Sequence, residues 1–228
     1  MSMGTWPPLP PSPPEPPVPR RTPWLPEPRP MAPGPVSASA SLIVGPRDWL
    51  GERLLEQRVV AVAGELDTET VNHTVAALAL LDANGDDPVR LRLSGVSADL
   101  DTAFPVVDAL DLMGVPVHAT CVGTLTGAAI ALLAVADRRI AGPHALLQLR
   151  EPRPPRGIPG RDVEARAAEY ARQLRRLQER LAEACRRPVE EIAADMHAGR
   201  LLTAQEAVEY GLVDGAEPAG RPSEGTSG

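Results

Sequence analysis

The feature that most constrains the fold is a regular alternation of β-like runs with helix-like segments between residues 58 and 149. Residues 58–63 form a short apolar run, and Asp67 follows as the expected N-cap of a helix that ends at Asn84-Gly85. In residues 89–93, apolar residues alternate with Arg90 and Arg92, which is typical of a strand with one exposed face. Strands and helices at this spacing predict βαβ units and a mostly parallel sheet.

The same alternation continues towards the C-terminus. We expect a helix over residues 102–113 with Pro105 in its first turn, a buried strand over 115–121 and a buried helix over 125–136. Two short strands are expected at 139–141 and 145–149. Beyond a proline-rich loop, we expect a long charged helix over 162–186, a second over 188–196, and a third that opens with a capping box at Thr203. Residues 212–213 are interpreted as the last strand.

Composition limits both the core and the chemistry. Hydrophobic residues make up 43% of the 228 residues but aromatic residues only 3%, so the core must consist mainly of Ala, Val and Leu. The net charge of −7 gives no global attraction to nucleic acids or anionic membranes, and no apolar run is long enough to span a bilayer. All 23 strongly basic residues are arginine, which excludes Schiff-base chemistry, a P-loop lysine and a Ser–Lys dyad.

The ends of the chain differ from its middle. Residues 1–40 hold 15 of the 27 prolines and few aliphatic residues, so we expect a disordered, polyproline-II-rich tail. This tail is either only solvated, or an adaptor segment that docks through Trp6 and Trp24. Residues 217–228 are expected to be a second disordered tail, which leaves one domain over residues 41–216. The absence of a signal pattern, together with two widely separated cysteines, predicts a reduced, cytoplasmic setting.

Several segments resemble one family. Residues 58–66, residues 89–93 with the tight turn expected after them, Cys121-Val-Gly123 and above all residues 202–214 (LTAQEAVEYGLVD) are similar to the Clp protease proteolytic subunit, ClpP. The resemblance covers about residues 49–216. It implies an α/β fold of the ClpP/crotonase type, a spiral of ββα units with residues 162–186 as a protruding handle helix. It further implies self or paralogous ClpP subunits as partners in stacked heptameric rings, on which a Clp ATPase docks.

The resemblance also implies where a Ser-His-Asp triad would lie. The nucleophile position, four residues after Gly123, is Gly127. The His position is Arg150, and the Asp position, four residues before the Thr203 capping box, is Gly199. All three catalytic side chains are therefore absent, and the implied function in proteolysis becomes that of a catalytically inactive, structural or regulatory subunit in a mixed ring.

The oxyanion hole is expected to be degraded too. In the family a glycine-rich turn directs backbone N–H groups at the developing oxyanion. The corresponding turn here is Gly95-Val-Ser-Ala98, and the oxyanion-equivalent residues are Ala98 and Ala128. Positive φ angles in such a turn are costly for residues other than glycine, so the hole is expected to be misshapen or absent. No metal site and no cofactor are expected.

Two alternatives remain open at this point. An active serine-type endopeptidase with a shifted nucleophile would use Thr124 or Thr126, and it would need a base from among His73, His118, His144 and His197. A crotonase-like, acyl-CoA-binding protein would use the same backbone donors with Asp99 or Asp101 nearby. The family's strand positions that accept an apolar loop of the ATPase are Arg90 and Arg92 here, so we expect no docking of the ATPase to this subunit alone.

Overall fold

The computed structural model describes residues 49–154 and 163–217. The expectations for residues 1–40, for residues 155–162 of the loop before the handle helix and for residues 218–228 lie outside the described residues. Within these ranges the elements in chain order are α1 (Trp49–Glu56), β1 (Val59–Glu65), α2 (Thr68–Ala83), β2 (Val89–Ala98), α3 (Leu100–Asp111), β3 (Val117–Gly127), α4 (Ile130–Ala134), β4 (Arg138–Ala141), β5 (Leu146–Gln148), α5 (Val163–Cys185), α6 (Val189–Ala198), β6 (Leu201–Thr203), α7 (Ala204–Tyr210) and β7 (Gly215–Ala216).

The strands form one sheet in the order β1-β2-β3-β4-β7, in which every neighbouring pair is parallel. Strand β5 extends the sheet beside the second half of β3, and β6 pairs antiparallel with β5. Helices α2 and α3 make the crossovers that parallel strands require. The predicted α/β fold with a mostly parallel sheet is confirmed.

The core lies on one face of this sheet. Leu91 and Leu93 of β2 and Ala119 and Cys121 of β3 are all fully buried, and they alternate with exposed or half-buried residues. All five residues of α4 are buried as well. The core of the described residues is therefore assembled mainly from Val, Leu and Ala, as the low aromatic content requires.

The predicted helix boundaries hold where capping residues define them. The carboxylate of Asp67 accepts a hydrogen bond from the backbone N–H of Thr70 at 2.8 Å, which begins α2. Helix α5 lies one residue inside the predicted handle helix at either end. Its residues 164–168 are exposed, whereas Leu177 and Leu181 are buried in the core, so only its second half is packed against the rest of the fold.

Two predictions about the middle of the chain are wrong. Strand β2 continues through Ala98, so the expected tight turn at residues 95–98 is a strand with an irregularity at Gly95. Strand β3 continues to Gly127, so α4 is much shorter than the predicted helix over 125–136. Both corrections have one cause, because the ends of β2 and β3 pair with each other and Thr124–Thr126 of β3 also pair with β5.

Smaller corrections concern the ends of elements. The last strand is β7 rather than residues 212–213, because Leu212 and Val213 are buried in the core outside the sheet. Helix α3 begins at Leu100, so Pro105 lies in its second turn and not in its first. Helix α1 and strand β6 were not predicted from the sequence. In the described part of the chain, no helix combines the length and the apolarity that crossing a membrane requires.

The capping box at the start of α7 gives a first testable prediction. The hydroxyl of Thr203 accepts from the N–H of Glu206, while the Glu206 carboxylate accepts from the N–H of Thr203 at 2.8 Å. We expect Thr203→Ala to lower the free energy of unfolding by about 1 kcal/mol. Thr68→Ala, at the exposed first position of α2, is the control and should change it by less than about 0.5 kcal/mol. Urea unfolding followed by circular dichroism measures both, and equal losses would contradict the role of the capping box.

Candidate functional site

A cavity of about 160 Å³ opens at the carboxyl ends of β2 and β3. The last residues of these strands, Ala98 and Gly127, line it together with Arg150 from the segment after β5. The fold therefore brings the predicted nucleophile position and the predicted His position to one cavity. Its rim is charged, with carboxylates at Glu65, Asp99 and Glu151 and guanidinium groups at Arg150 and Arg153.

Gly127 has no room for a side chain. Its φ angle is +66°, in the left-handed region that disfavours residues with a Cβ. A Cβ built at this position would lie 2.7 Å from the carbonyl oxygen of Ala98. In this backbone conformation a serine at residue 127 would therefore be excluded by contact as well as by strain.

The expected oxyanion donor at Ala128 is already used. Its backbone N–H donates a hydrogen bond to the carbonyl oxygen of Ala98 at 3.0 Å. This bond follows directly from the pairing of Ala98 with Gly127, the last pair between β2 and β3. The Ala128 N–H thus already has an acceptor and is not free to stabilise negative charge on another group.

Arg150 offers no base at the His position. It is exposed and follows Leu149, whose N–H is fixed by the carbonyl of Arg200 at 2.8 Å. A guanidinium group carries five donors and no acceptor, so it does not take a proton from a nucleophile. The Arg150 side chain instead places positive charge beside the carboxylates of the cavity rim.

Gly199 does not line the cavity but is linked to it through Gln148. Gly199 is the C-cap of α6 with a φ angle of +70°, and its carbonyl lies 3.5 Å from the side-chain nitrogen of Gln148. The other end of the same amide accepts a hydrogen bond from the Thr126 hydroxyl at 3.1 Å. Gln148 therefore connects the Asp position to the residue beside the nucleophile position, a role that the sequence analysis missed.

Comparison with known proteins identifies the family. The Clp protease family model matches residues 48–217. The chain belongs to the Clp protease family. It is 32% identical over 170 residues to the ATP-dependent Clp protease proteolytic subunit 1 of Rhodopirellula baltica, which covers 72% of this chain and 74% of that protein. It is 30% identical over 171 residues to the subunit of the same name from Thermobifida fusca, covering 73% and 77%. The resemblance to ClpP is thus confirmed.

Thr124 and Thr126 of this ClpP-like chain are not paired with a base. The Thr126 hydroxyl donates to an amide oxygen of Gln148, which is only weakly basic, and Thr124 is exposed on β3. No histidine of the described residues lines the cavity. His197 is the histidine nearest in sequence to the Asp position, and its Nδ1 lies 3.4 Å from Glu151 with most of its side chain exposed.

The cysteines of the ClpP-like fold do not supply a nucleophile either. Both Cys121 and Cys185 are buried and unpaired, and burial raises the pKa of each thiol to about 11. At neutral pH both thiols are therefore protonated, and the thiolate is the reactive form. No cluster of three or more metal-ligating side chains exists among the described residues.

The contact at Gly127 gives a second prediction with a matched control. Gly95 has almost the same φ angle, +60°, but a Cβ there would meet no atom within 4 Å. We expect Gly95→Ala to lower the free energy of unfolding by about 1 kcal/mol through backbone strain alone. Gly127→Ala should lower it by about 1–3 kcal/mol more, because its Cβ also contacts the Ala98 oxygen. Equal losses in urea unfolding would show that the end of β2 moves aside without cost.

Proposed function

We propose that this chain is a catalytically inactive ClpP-like subunit, which assembles with active paralogues in a mixed heptameric ring and has a structural or regulatory role in proteolysis. The observation that carries the proposal is the hydrogen bond from the Ala128 N–H to the Ala98 carbonyl, beside a Gly127 that cannot accept a side chain. Together these features remove the nucleophile and the oxyanion donor from the same point of the fold.

The side chains that line the cavity support the proposed loss of peptidase activity. Acyl transfer from a peptide needs a base within hydrogen-bond reach of the nucleophile. The cavity offers the guanidinium groups of Arg150 and Arg153 and the carboxylates of Glu65, Asp99 and Glu151, with no hydroxyl–imidazole pair among the residues that line it. Ser97 and Thr126 are the hydroxyl side chains that line the cavity, and neither donates a hydrogen bond to one of these carboxylates.

The parts of the fold that would serve assembly are present. The parallel sheet is complete from β1 to β7, and α5 has the length and the packed second half expected of a handle helix. Salt bridges between neighbouring turns of α5, such as that between Arg175 and Glu179, link its charged side chains. We infer a cytoplasmic, oligomeric protein whose partners are itself or paralogous ClpP subunits, and which meets a Clp ATPase only through the assembled complex.

The two alternatives receive less support. An acyl-CoA-binding protein of the crotonase type would need a pair of free backbone donors for the thioester oxygen, and the Ala128 N–H is taken. A peptidase with a shifted nucleophile would need a base beside Thr124 or Thr126, and the partner of Thr126 is an amide. The adaptor hypothesis concerns residues 1–40, outside the described part of the chain.

Absence of a reactive nucleophile is tested with an active-site probe. We expect the purified full-length protein to remain unlabelled by a fluorophosphonate or a β-lactone, under conditions in which a triad-bearing ClpP subunit is labelled stoichiometrically. Labelling of any residue within the fold would contradict catalytic inactivity. Peptide mapping, followed by Thr124→Val and Thr126→Val, would then locate the nucleophile.

Mixed assembly is tested by purification at native mass. We expect the tagged chain to elute as a complex of several hundred kilodaltons that also contains a triad-bearing paralogue, as mass spectrometry would show. A chain lacking residues 1–35 is the control, and it should form the same complex. A monomer, or a complex of this chain alone, would contradict the mixed ring. Loss of a partner from the shortened chain, with the assembly unchanged, would support the adaptor hypothesis.

A further inference from the structure

The sheet face opposite the core carries a row of basic side chains. Because side chains alternate along a strand, the burial of Leu91, Leu93 and Ala119 places Arg90, Arg92 and His118 on the other face. The register pairs Arg90 with His118, and His118 with Arg138 of β4. Three basic residues therefore lie side by side on three adjacent strands, with Arg92 two residues further along β2. These four residues are called the basic face below.

The spacing of the basic face follows from sheet geometry. Adjacent strands are about 4.8 Å apart, so the row from Arg90 to Arg138 spans about 10 Å between backbones. Arg90 and Arg92 are separated by about 6.6 Å along β2. The second distance equals that between alternate side chains of an extended peptide, so two carboxylates two residues apart in a partner match Arg90 and Arg92.

The positive charges of the arginines on the basic face are paired with few acceptors or carboxylates among the described residues. The side chain of Arg92 forms no hydrogen bond or ion pair there, and the side chain of Arg90 donates one bond, to the carbonyl of Gln57 at 3.0 Å. Arg138 interacts with Asp214, but the carboxylate of Asp214 is held by the guanidinium and the N–H of Arg139. Positive charge is thus concentrated on this face although the whole chain is acidic.

Arg90 and Arg92 of the basic face also line a groove. It has a volume of about 440 Å³ and includes Arg90, Arg92, Thr120 and the 43% exposed Val122, with Glu217 as its one carboxylate. An apolar occupant would have to desolvate two guanidinium groups without pairing them, which is unfavourable. A carboxylate side chain accepts the two parallel N–H bonds that a guanidinium group offers, and its stem can pack on Thr120 and Val122.

We propose that the basic face binds an acidic peptide segment of a partner protein, with carboxylates at alternate positions seated on Arg90 and Arg92. A nucleic acid or an anionic membrane is a less suitable occupant, since the net charge of −7 repels an extended polyanion more strongly than a short segment with two carboxylates. The inference goes beyond the proposed function and does not depend on it, because the basic face shares no residue with the cavity at Gly127.

The test measures binding of three labelled peptides to the full-length protein by fluorescence anisotropy. One peptide alternates Glu with Thr, the second replaces each Glu by Gln, and the third replaces each Glu by Leu. We expect the Glu peptide to bind at least about tenfold more tightly than the other two, and its binding to weaken as salt is added. Arg92→Gln should weaken it about fivefold, and Arg90→Gln with Arg92→Gln more than tenfold.

The control has the same change of charge elsewhere. Arg166→Gln with Arg176→Gln, on the exposed surface of α5, should leave the affinity for the Glu peptide unchanged. Equal affinity for the Glu and Gln peptides, tighter binding of the Leu peptide, or equal effects of the two double variants would overturn the proposal. So would tighter binding of single-stranded DNA or of anionic vesicles than of the Glu peptide. A homo-oligomer that takes up no peptide, but dissociates in the Arg90→Gln, Arg92→Gln variant, would show that a second copy covers the face, and would also overturn it.

Discussion

The pairing of β2 with β3 determines most of what this chain can do. The two strands pair from Val89 and Val117 to Ala98 and Gly127, interrupted only by the irregularity near Gly95. This pairing turns Leu91 and its neighbours into the core and turns Arg90 and Arg92 outward. Its last pair also places the Ala98 carbonyl against the Ala128 N–H. Core, basic face and cavity are therefore three consequences of one parallel register.

Two features at the predicted nucleophile and oxyanion positions depend on each other: residue 127 has no room for a side chain, and the Ala128 N–H is bonded to the Ala98 carbonyl. The close approach of the Ala98 oxygen is what excludes a Cβ at residue 127, and the same oxygen accepts the Ala128 N–H. A serine at residue 127 would therefore need the end of β2 to move away from β3, and that movement would break the hydrogen bond. In this conformation Gly127 allows β2 and β3 to pair up to their last residues, and this pairing gives the Ala128 N–H, the predicted oxyanion donor, a backbone acceptor.

The sequence predicted the parts of the fold that local signals define. Capping residues such as Asp67 and Thr203 fix helix starts within a few residues, and the alternation around Arg90 and Arg92 identifies both faces of β2. The segment from Leu125 was assigned to a helix because a short run of small apolar residues fits a buried helix and a buried strand equally well. Its pairing with β5 decides the matter, and that contact lies more than twenty residues away in the sequence.

The candidate site was likewise predictable from the sequence only in part. The positions Gly127, Arg150 and Gly199 came from a resemblance in motif spacing, which needs no knowledge of the tertiary structure. The bridge made by Gln148 could not be predicted, because it joins Thr126 on β3 to Gly199 at the end of α6 through one side chain. Likewise, the sequence located Ala98 and Ala128 as oxyanion-equivalent residues, but only the strand register shows that they bind each other.

The hydrogen bond of the Ala128 N–H stabilises the folded chain and leaves this donor without a free N–H for a substrate. A working oxyanion hole keeps backbone donors without a protein partner until a substrate arrives, which costs stability in the free enzyme. Here the Ala128 N–H is satisfied, and a satisfied backbone hydrogen bond contributes about 1 kcal/mol. The charged cavity rim is exposed to water, so its carboxylates and guanidinium groups remain solvated instead of being buried unpaired. This arrangement agrees with the proposed structural role, because the Ala128 N–H has a partner in the absence of any substrate.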